Sequence, residues 1–190
     1  MDSPFEKDVK NCVLTLQQDG VILYPTDTIW GLGCDVQNEK AIQKIVDIKK
    51  RDPNKSFIVL MTDVRQLAKH IANPPLDLEE MLEKFDNPTT IIYPNAIHLP
   101  QSLLAADGSV AVRITKDPFC RSLIKRLRSP LVSTSANLSG MPAAATFSLI
   151  DEVVKTQVDY TVIWRQDDQT HSQPSSILKL EPDGGFTKIR

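Results

Sequence analysis

Cations and short hydroxyl side chains gather at four places in this 190-residue chain. The first is IKKRDPNK (48–55), where Lys49, Lys50, Arg51 and Lys55 crowd the end of an amphipathic pattern. Cations there complement a helix C-terminus. The same group also suits a phosphate, which arginine grips through two parallel bonds and lysine attracts as a point charge. The second place is Arg113 in SVAVRIT (109–115). Val110, Val112 and Ile114 share one face of that strand, and Ala111 and Arg113 share the other. A charge on a central strand needs a partner, either a carboxylate of the chain or a carboxylate or phosphate of a ligand. Third is SPLVSTSANLSGMP (129–142), a strand that runs into a loop of hydroxyls and amides. Such a loop can present backbone N–H groups to an anion, or it can simply be a capped turn. It has no GxSxG elbow and no histidine nearby, which disfavours a nucleophilic serine. The fourth is PTDTIWGLGCD (25–35), with two threonines, an aspartate and Trp30 before Gly31 and Gly33. It lacks the third glycine of a dinucleotide fingerprint and is no Walker A loop. On its own it reads as a tight turn after a strand.

All four clusters fall at strand ends, and the intervening pattern alternates helices with strands. Helices are expected over 4–19 (stopped at Gly20), 39–51 (capped by Asn38), 63–71, 77–86, 118–128 (capped by Asp117 with Pro118 behind it) and near 147–155. Strands are expected at 21–25, 57–61, 90–94, 109–115, 131–133, 160–164, 175–180 and 186–190, with 165–174 as the main loop. One α/β domain over 1–190 with a mixed sheet follows. Hydrophobic residues at 41% and charged residues at 24% suit a globular chain and exclude a disordered or collagen-like one. With 22 Lys and Arg against 24 Asp and Glu, the net charge is −2, so any anion site must be local. Cys12, Cys34 and Cys120 show no CxxC spacing, and His70, His98 and His171 lie far apart. Neither a disulfide framework nor a metal held by protein ligands is expected. No apolar run reaches the ~20 residues that span a bilayer, and the acidic N-terminus does not resemble a signal peptide. A cytoplasmic protein is expected.

Taken together, the clusters resemble the YrdC-like family, the threonylcarbamoyl-AMP synthases of tRNA modification. PTDTIWGLG is similar to that family's Pro-Thr-acidic-Thr-aromatic stretch, and Lys49 with Arg51 to its Lys-x-Arg pair. SVAVRI is similar to its arginine-bearing strand, and STSANLSG (133–140) to its signature loop almost letter for letter. PSSILKL (174–180) and the terminal FTKIR resemble its closing strand and last arginine. This resemblance implies a twisted open mixed sheet with flanking helices around a large basic cavity. It implies ATP, L-threonine and bicarbonate as substrates, with Mg²⁺ arriving on ATP. Lys49, Arg51, Lys55, Ser109, Ser133, Ser135, Asn137 and Arg190 would hold ATP. Thr28, Arg113 and Ser175 would hold threonine, Arg113 through its carboxylate. tRNA or double-stranded RNA, and proteins of tRNA modification, are the implied partners; no residue is implied as general base. Asp52, Leu60, Trp30 and Ala143 depart from the family pattern, while KKRDPNKSFIVLM and NPTTIIYP are closer to its YciO-like branch. The alternative is therefore a YciO-like protein that binds a nucleotide or RNA without this activity. For RNA, residues 49–55 with Arg121, Lys125, Arg126 and Arg128 would form a basic stripe, although interleaved aromatics for stacking are missing. Carbamoylation of another small molecule is a third reading that keeps the same cavity.

Overall fold

In the computed structural model, which describes residues 3–51, 56–75 and 77–190, the strands join in one nine-stranded mixed sheet. In chain order these are β1 (Ile22–Tyr24), β2 (Gly31–Asp35), β3 (Ile58–Met61), β4 (Thr89–Tyr93), β5 (Val110–Ile114), β6 (Leu131–Ser135), β7 (Tyr160–Thr161), β8 (Ser176–Leu180) and β9 (Phe186–Lys188). Across the sheet the order is β7-β1-β2-β6-β3-β5-β4-β8-β9. The pairs β1–β7, β3–β5 and β4–β8 are parallel, and the others antiparallel. Helices α1 (Glu6–Leu16), α2 (Glu39–Lys49), α3 (Val64–Leu67), α4 (Leu78–Glu83), α5 (Pro118–Leu127) and α6 (Glu152–Gln157) flank it.

Local chemistry explains the longer elements. The Asn38 side chain accepts from the Ala41 amide at 3.0 Å to start α2, and Asp117 accepts from Cys120 at 2.9 Å to start α5. Each helix then stops on a left-handed residue, Lys50 with φ 48° and Arg128 with φ 61°. Inward faces carry Ile42, Ile45 and Ile48 from α2 and Phe119, Leu123 and Ile124 from α5, all buried. None of the described helices is long and apolar enough to cross a membrane.

The helix expected near 147–155 is a 3₁₀ turn at Phe147–Leu149 followed by α6, and two strand regions also differ from expectation. The stretch 160–164 is a strand only at Tyr160–Thr161. Asp8 of α1 captures the next amides: Ile163 donates to Oδ1 at 3.2 Å and Trp164 to Oδ2 at 2.9 Å. Those N–H groups are diverted from a sheet ladder, so the chain leaves the sheet there. The pair Gly31 and Gly33, expected in a turn, lies instead in β2, between β1 and β6. Its glycines serve close packing rather than turning. A Cβ on Gly33 would sit 2.7 Å from the Tyr24 ring and 2.9 Å from the Val132 carbonyl oxygen. The backbone carbonyl cannot step aside, so Gly33→Ala should lose about 1–3 kcal/mol of stability in urea unfolding.

The three thiols are all buried, and burial pushes each of them up from its ordinary value. Only the thiolate reacts. A disulfide reagent should therefore label none of Cys12, Cys34 and Cys120 in the native protein on the mixing timescale, and all three once urea unfolds it.

Candidate active site

One face of the sheet centre carries a row of small and hydroxyl residues. In register across β2, β6, β3, β5 and β4 stand Gly33, Ser133, Ile58, Ala111 and Ile92. The last four floor a cavity of about 300 Å³. Gly31, opposite Ser135, adds floor without a side chain, and Ala111 leaves room beside Arg113. Seven of the eleven expected binding residues line this cavity: Thr28, Arg51, Arg113, Ser133, Ser135, Ser175 and Arg190.

Each is held by named contacts. Tyr24, buried beneath the floor, donates its hydroxyl to Ser133 Oγ at 2.7 Å, and burial pushes its phenol up, which keeps it the donor. Ser175 shares a 2.8 Å bond with Thr90 Oγ1, and Arg190 Nη2 reaches the Ser175 carbonyl at 3.0 Å. That contact bends the end of the chain back over the cavity. Arg51 donates to the Ser56 carbonyl at 2.7 Å and stacks 4.9 Å from the Phe57 ring centroid, which aims its guanidinium along the rim. Arg113 is 4% exposed. Its Nη1 donates to Thr28 Oγ1 at 3.1 Å, and its Nη2 lies 3.1 Å from Asp27 Oδ1. The sequence left open whether a carboxylate of the chain or a ligand balances this arginine. Asp27, from the loop between β1 and β2, supplies one.

The other expected residues lie elsewhere. Lys49 is 1% exposed and outside the cavity wall. Its Nζ donates to the Ser135 and Asn137 carbonyls, the latter at 2.5 Å, so it braces the signature loop from beneath. Asn137 turns its Nδ2 to the Leu138 and Met141 carbonyls at 3.0 and 2.6 Å and shapes that loop without lining the cavity. Ser109 donates to Asp107 at 2.6 Å, away from the cavity. Lys55 and Asp52 fall outside the described residues.

A second cavity of about 780 Å³ adjoins the first and shares Thr26, Thr28, Ile29 and Trp30 with it. Seven carboxylates line it (Asp27, Asp63, Glu79, Glu83, Asp86, Asp117 and Asp168) against Lys116, Arg121 and Arg165. The expected large basic cavity is thus divided. Each chamber is lined by three cations, but the smaller has no lining carboxylate while seven outnumber the cations in the larger. The Gln66 amide N–H holds the Asp63 carboxyl below its ordinary range against a modest opposing effect of burial, with the Thr62 hydroxyl adding to it. Arg165, which the sequence placed only in a loop, sits at φ 67°. It stacks 3.9 Å over Trp164 and pairs with Asp117 at 2.8 Å. Among the described residues no three His, Cys, Asp or Glu side chains are grouped to hold a metal.

The family model described as Sua5_yciO_yrdC, telomere recombination, matches residues 14–190. The chain belongs to this family. Among curated relatives, the threonylcarbamoyl-AMP synthase of Xanthomonas euvesicatoria pv. vesicatoria is 35% identical over 158 residues, covering 82% of this chain and 84% of its own. That of Alkalilimnicola ehrlichii is 35% identical over 136 residues, covering 72% and 71%. Among solved structures, E. coli YciO superposes with TM-score 0.85 at 22% identity, over 100% of this chain and 91% of that one. P. abyssi Sua5 complexed with L-threonine gives 0.85 at 21% identity over 100% of this chain. The chain spans 55% of that Sua5 chain. At these identities the superpositions establish the Sua5/YciO/YrdC fold, as the sheet of mixed strands with flanking helices already indicated.

Proposed function

We propose that the chain is an L-threonylcarbamoyladenylate synthase, which joins L-threonine, bicarbonate and the AMP moiety of ATP and releases pyrophosphate. Convergence of three arginines with Thr28, Ser133, Ser135 and Ser175 on one small chamber carries this reading. It is supported by curated relatives of that name at 35% identity.

The chemistry asks for what the chamber offers. A carbamate oxygen attacks the α-phosphorus, so negative charge builds on phosphate oxygens and on the departing pyrophosphate. Preorganised cations and hydrogen-bond donors stabilise that charge, and no protein nucleophile is required. Arg51 and Arg190 on the rim would hold the phosphates, and Ser133 and Ser135 would donate to them. Arg113, with Thr28 and Ser175, would hold the amino acid. Lys49 and Asn137 serve by fixing the loop that carries Ser135. Mg²⁺ would enter bound to ATP, as is usual for a cation that keeps most of its waters. A cytoplasmic location and delivery of the adenylate to tRNA-modifying proteins accompany this reading.

The basic stripe of the RNA-binding alternative is only partly presented to solvent, by Lys125, Arg126 and Arg128. Arg121 turns inward, donating to the Thr115 carbonyl at 3.3 Å and also to that of Thr62, and Arg126 is paired with Glu6. The deciding experiment incubates the purified protein with ATP, Mg²⁺, threonine and bicarbonate and measures pyrophosphate and the adenylate. Equal release of both is expected. Pyrophosphate that does not depend on threonine, or none at all, would overturn the synthase reading.

A further inference from the structure

We propose that Asp27 receives the amino group of the amino-acid substrate and takes its proton as the carbamate forms, a role that rests on the synthase reading above. Four buried side-chain polar atoms lack a hydrogen-bond partner among the described residues, and two of them belong to one ion pair: Arg113 Nε and Asp27 Oδ1. Oδ1 lies 3.1 Å from Arg113 Nη2, close enough for charge attraction, yet it accepts no hydrogen bond. The remaining atoms of the pair are engaged. Asp27 Oδ2 accepts from Thr115 Oγ1 at 3.3 Å, and Arg113 Nη1 donates to Thr28 at 3.1 Å. One buried donor and one buried acceptor of the pair thus have no hydrogen-bond partner among the described residues.

The pair also stands where the two chambers meet. Arg113 lines the smaller one, Asp27 the larger, and Thr26 and Thr28 between them line both. A ligand at that junction must offer an acceptor to Nε and a donor to Oδ1 within a few ångströms. An α-amino acid does so, since its carboxylate and ammonium sit on one carbon. A carboxylate with no donor on its α-carbon would satisfy the arginine and leave Oδ1 unpaired, and a buried group left unpaired is a strong basis for rejection.

The same contact serves the chemistry. An ammonium has no lone pair, so it must lose a proton before its nitrogen can attack. The step balances as R–NH₃⁺ + HCO₃⁻ → R–NH–CO₂⁻ + H₂O + H⁺. The nitrogen–carbon bond forms, a carbon–oxygen bond of bicarbonate breaks, and that oxygen leaves as water with one of the ammonium protons. The other proton passes to the Asp27 carboxylate and from there to solvent through the larger chamber. General-base assistance of this kind is worth about 10²–10⁴-fold in rate.

The test compares threonine with 3-hydroxybutyrate, which keeps the carboxylate and hydroxyl and lacks the amine. Calorimetry on the wild-type protein should show threonine bound at least about tenfold more tightly. In Asp27→Asn the threonine affinity should fall to near that of 3-hydroxybutyrate, whose own affinity barely changes. At saturating threonine the kcat of Asp27→Asn should drop by about 100-fold or more and recover as pH rises toward deprotonation of the free amine. A purely structural role would leave that pH profile unmoved. Equal wild-type affinity for the two ligands overturns the proposal even if the variant fails to fold. So does an equal loss of both ligands in Asp27→Asn, which would mean that Asp27 only orients Arg113. If the wild type makes the adenylate but shows either result, the synthase reading stands and this inference falls. If it binds no threonine and releases no pyrophosphate, the synthase reading falls first.

Discussion

Arg113→Met is expected to cost about 3–5 kcal/mol of stability and to abolish the threonine dependence of pyrophosphate release. The stability loss comes from what the substitution leaves behind. Asp27 is mostly buried beside Arg113 and keeps only a 3.3 Å bond from Thr115 once the guanidinium is gone. An orphaned carboxylate in that position costs far more than the intact pair contributes. Urea unfolding measures the loss, and Arg113→Met combined with Asp27→Asn should recover a large part of it. Arg113→Lys separates the binding role from the structural one. Lysine keeps the charge next to Asp27 but lacks the planar fork that presents Nε and Nη2 together. It should raise the threonine concentration needed for half-maximal pyrophosphate release by about 10- to 100-fold and leave ATP affinity near wild type. If ATP and threonine binding fall equally in Arg113→Lys, the arginine holds the fold and not the amino acid.

Alternation along 109–115 was enough to put Arg113 and Ala111 on the cavity side of β5, because period-two patterning survives in a strand whichever neighbours it acquires. Caps were legible for the same reason: Asn38 and Asp117 act on amides three residues away, a relation wholly local to the chain. What the sequence could not convey depends on long-range pairing. PTDTIWGLG reads as a turn until β1 and β6 close around Gly31 and Gly33. The strand at 160–164 reads as five residues until Asp8, more than 150 positions earlier, claims two of its amides. The cluster at 48–55 signalled cations correctly but not their direction. Lys49 and Arg51 are two residues apart, and on a helix end that spacing sends side chains to different sides. One therefore turns under the signature loop while the other reaches the cavity. The partner of Arg113 was in view as Asp27, yet nothing in a one-dimensional pattern joins residues 86 positions apart.

That divergence makes Lys49→Met the second decisive substitution. The end of α2 is stitched to the signature loop at three points: Ser139 donates its amide to the Lys49 carbonyl at 2.9 Å, and Lys49 Nζ donates to the Ser135 and Asn137 carbonyls. Methionine fills similar space but removes the side-chain donor, leaving two loop carbonyls to lose their charged partner. Each orphaned buried acceptor costs about 1–3 kcal/mol, so a total loss of about 2–6 kcal/mol is expected in urea. ATP affinity should fall as well, because Ser135 rides on the loop that Lys49 secures. Arg51→Ala supplies the contrast. Arg51 lines the cavity directly. Its removal should weaken binding of a non-hydrolysable ATP analogue by about 1.5–3 kcal/mol in calorimetry while shifting the urea midpoint less than Lys49→Met does. The informative quantity is the ratio of the two effects in each variant. A Lys49→Met protein with an unchanged midpoint and lost ATP binding would place the lysine on the phosphates, as its Lys-x-Arg spacing first suggested. A lowered midpoint with ATP binding lost only in proportion places it where the geometry does, as the brace that keeps the serines of β6 aimed at the chamber.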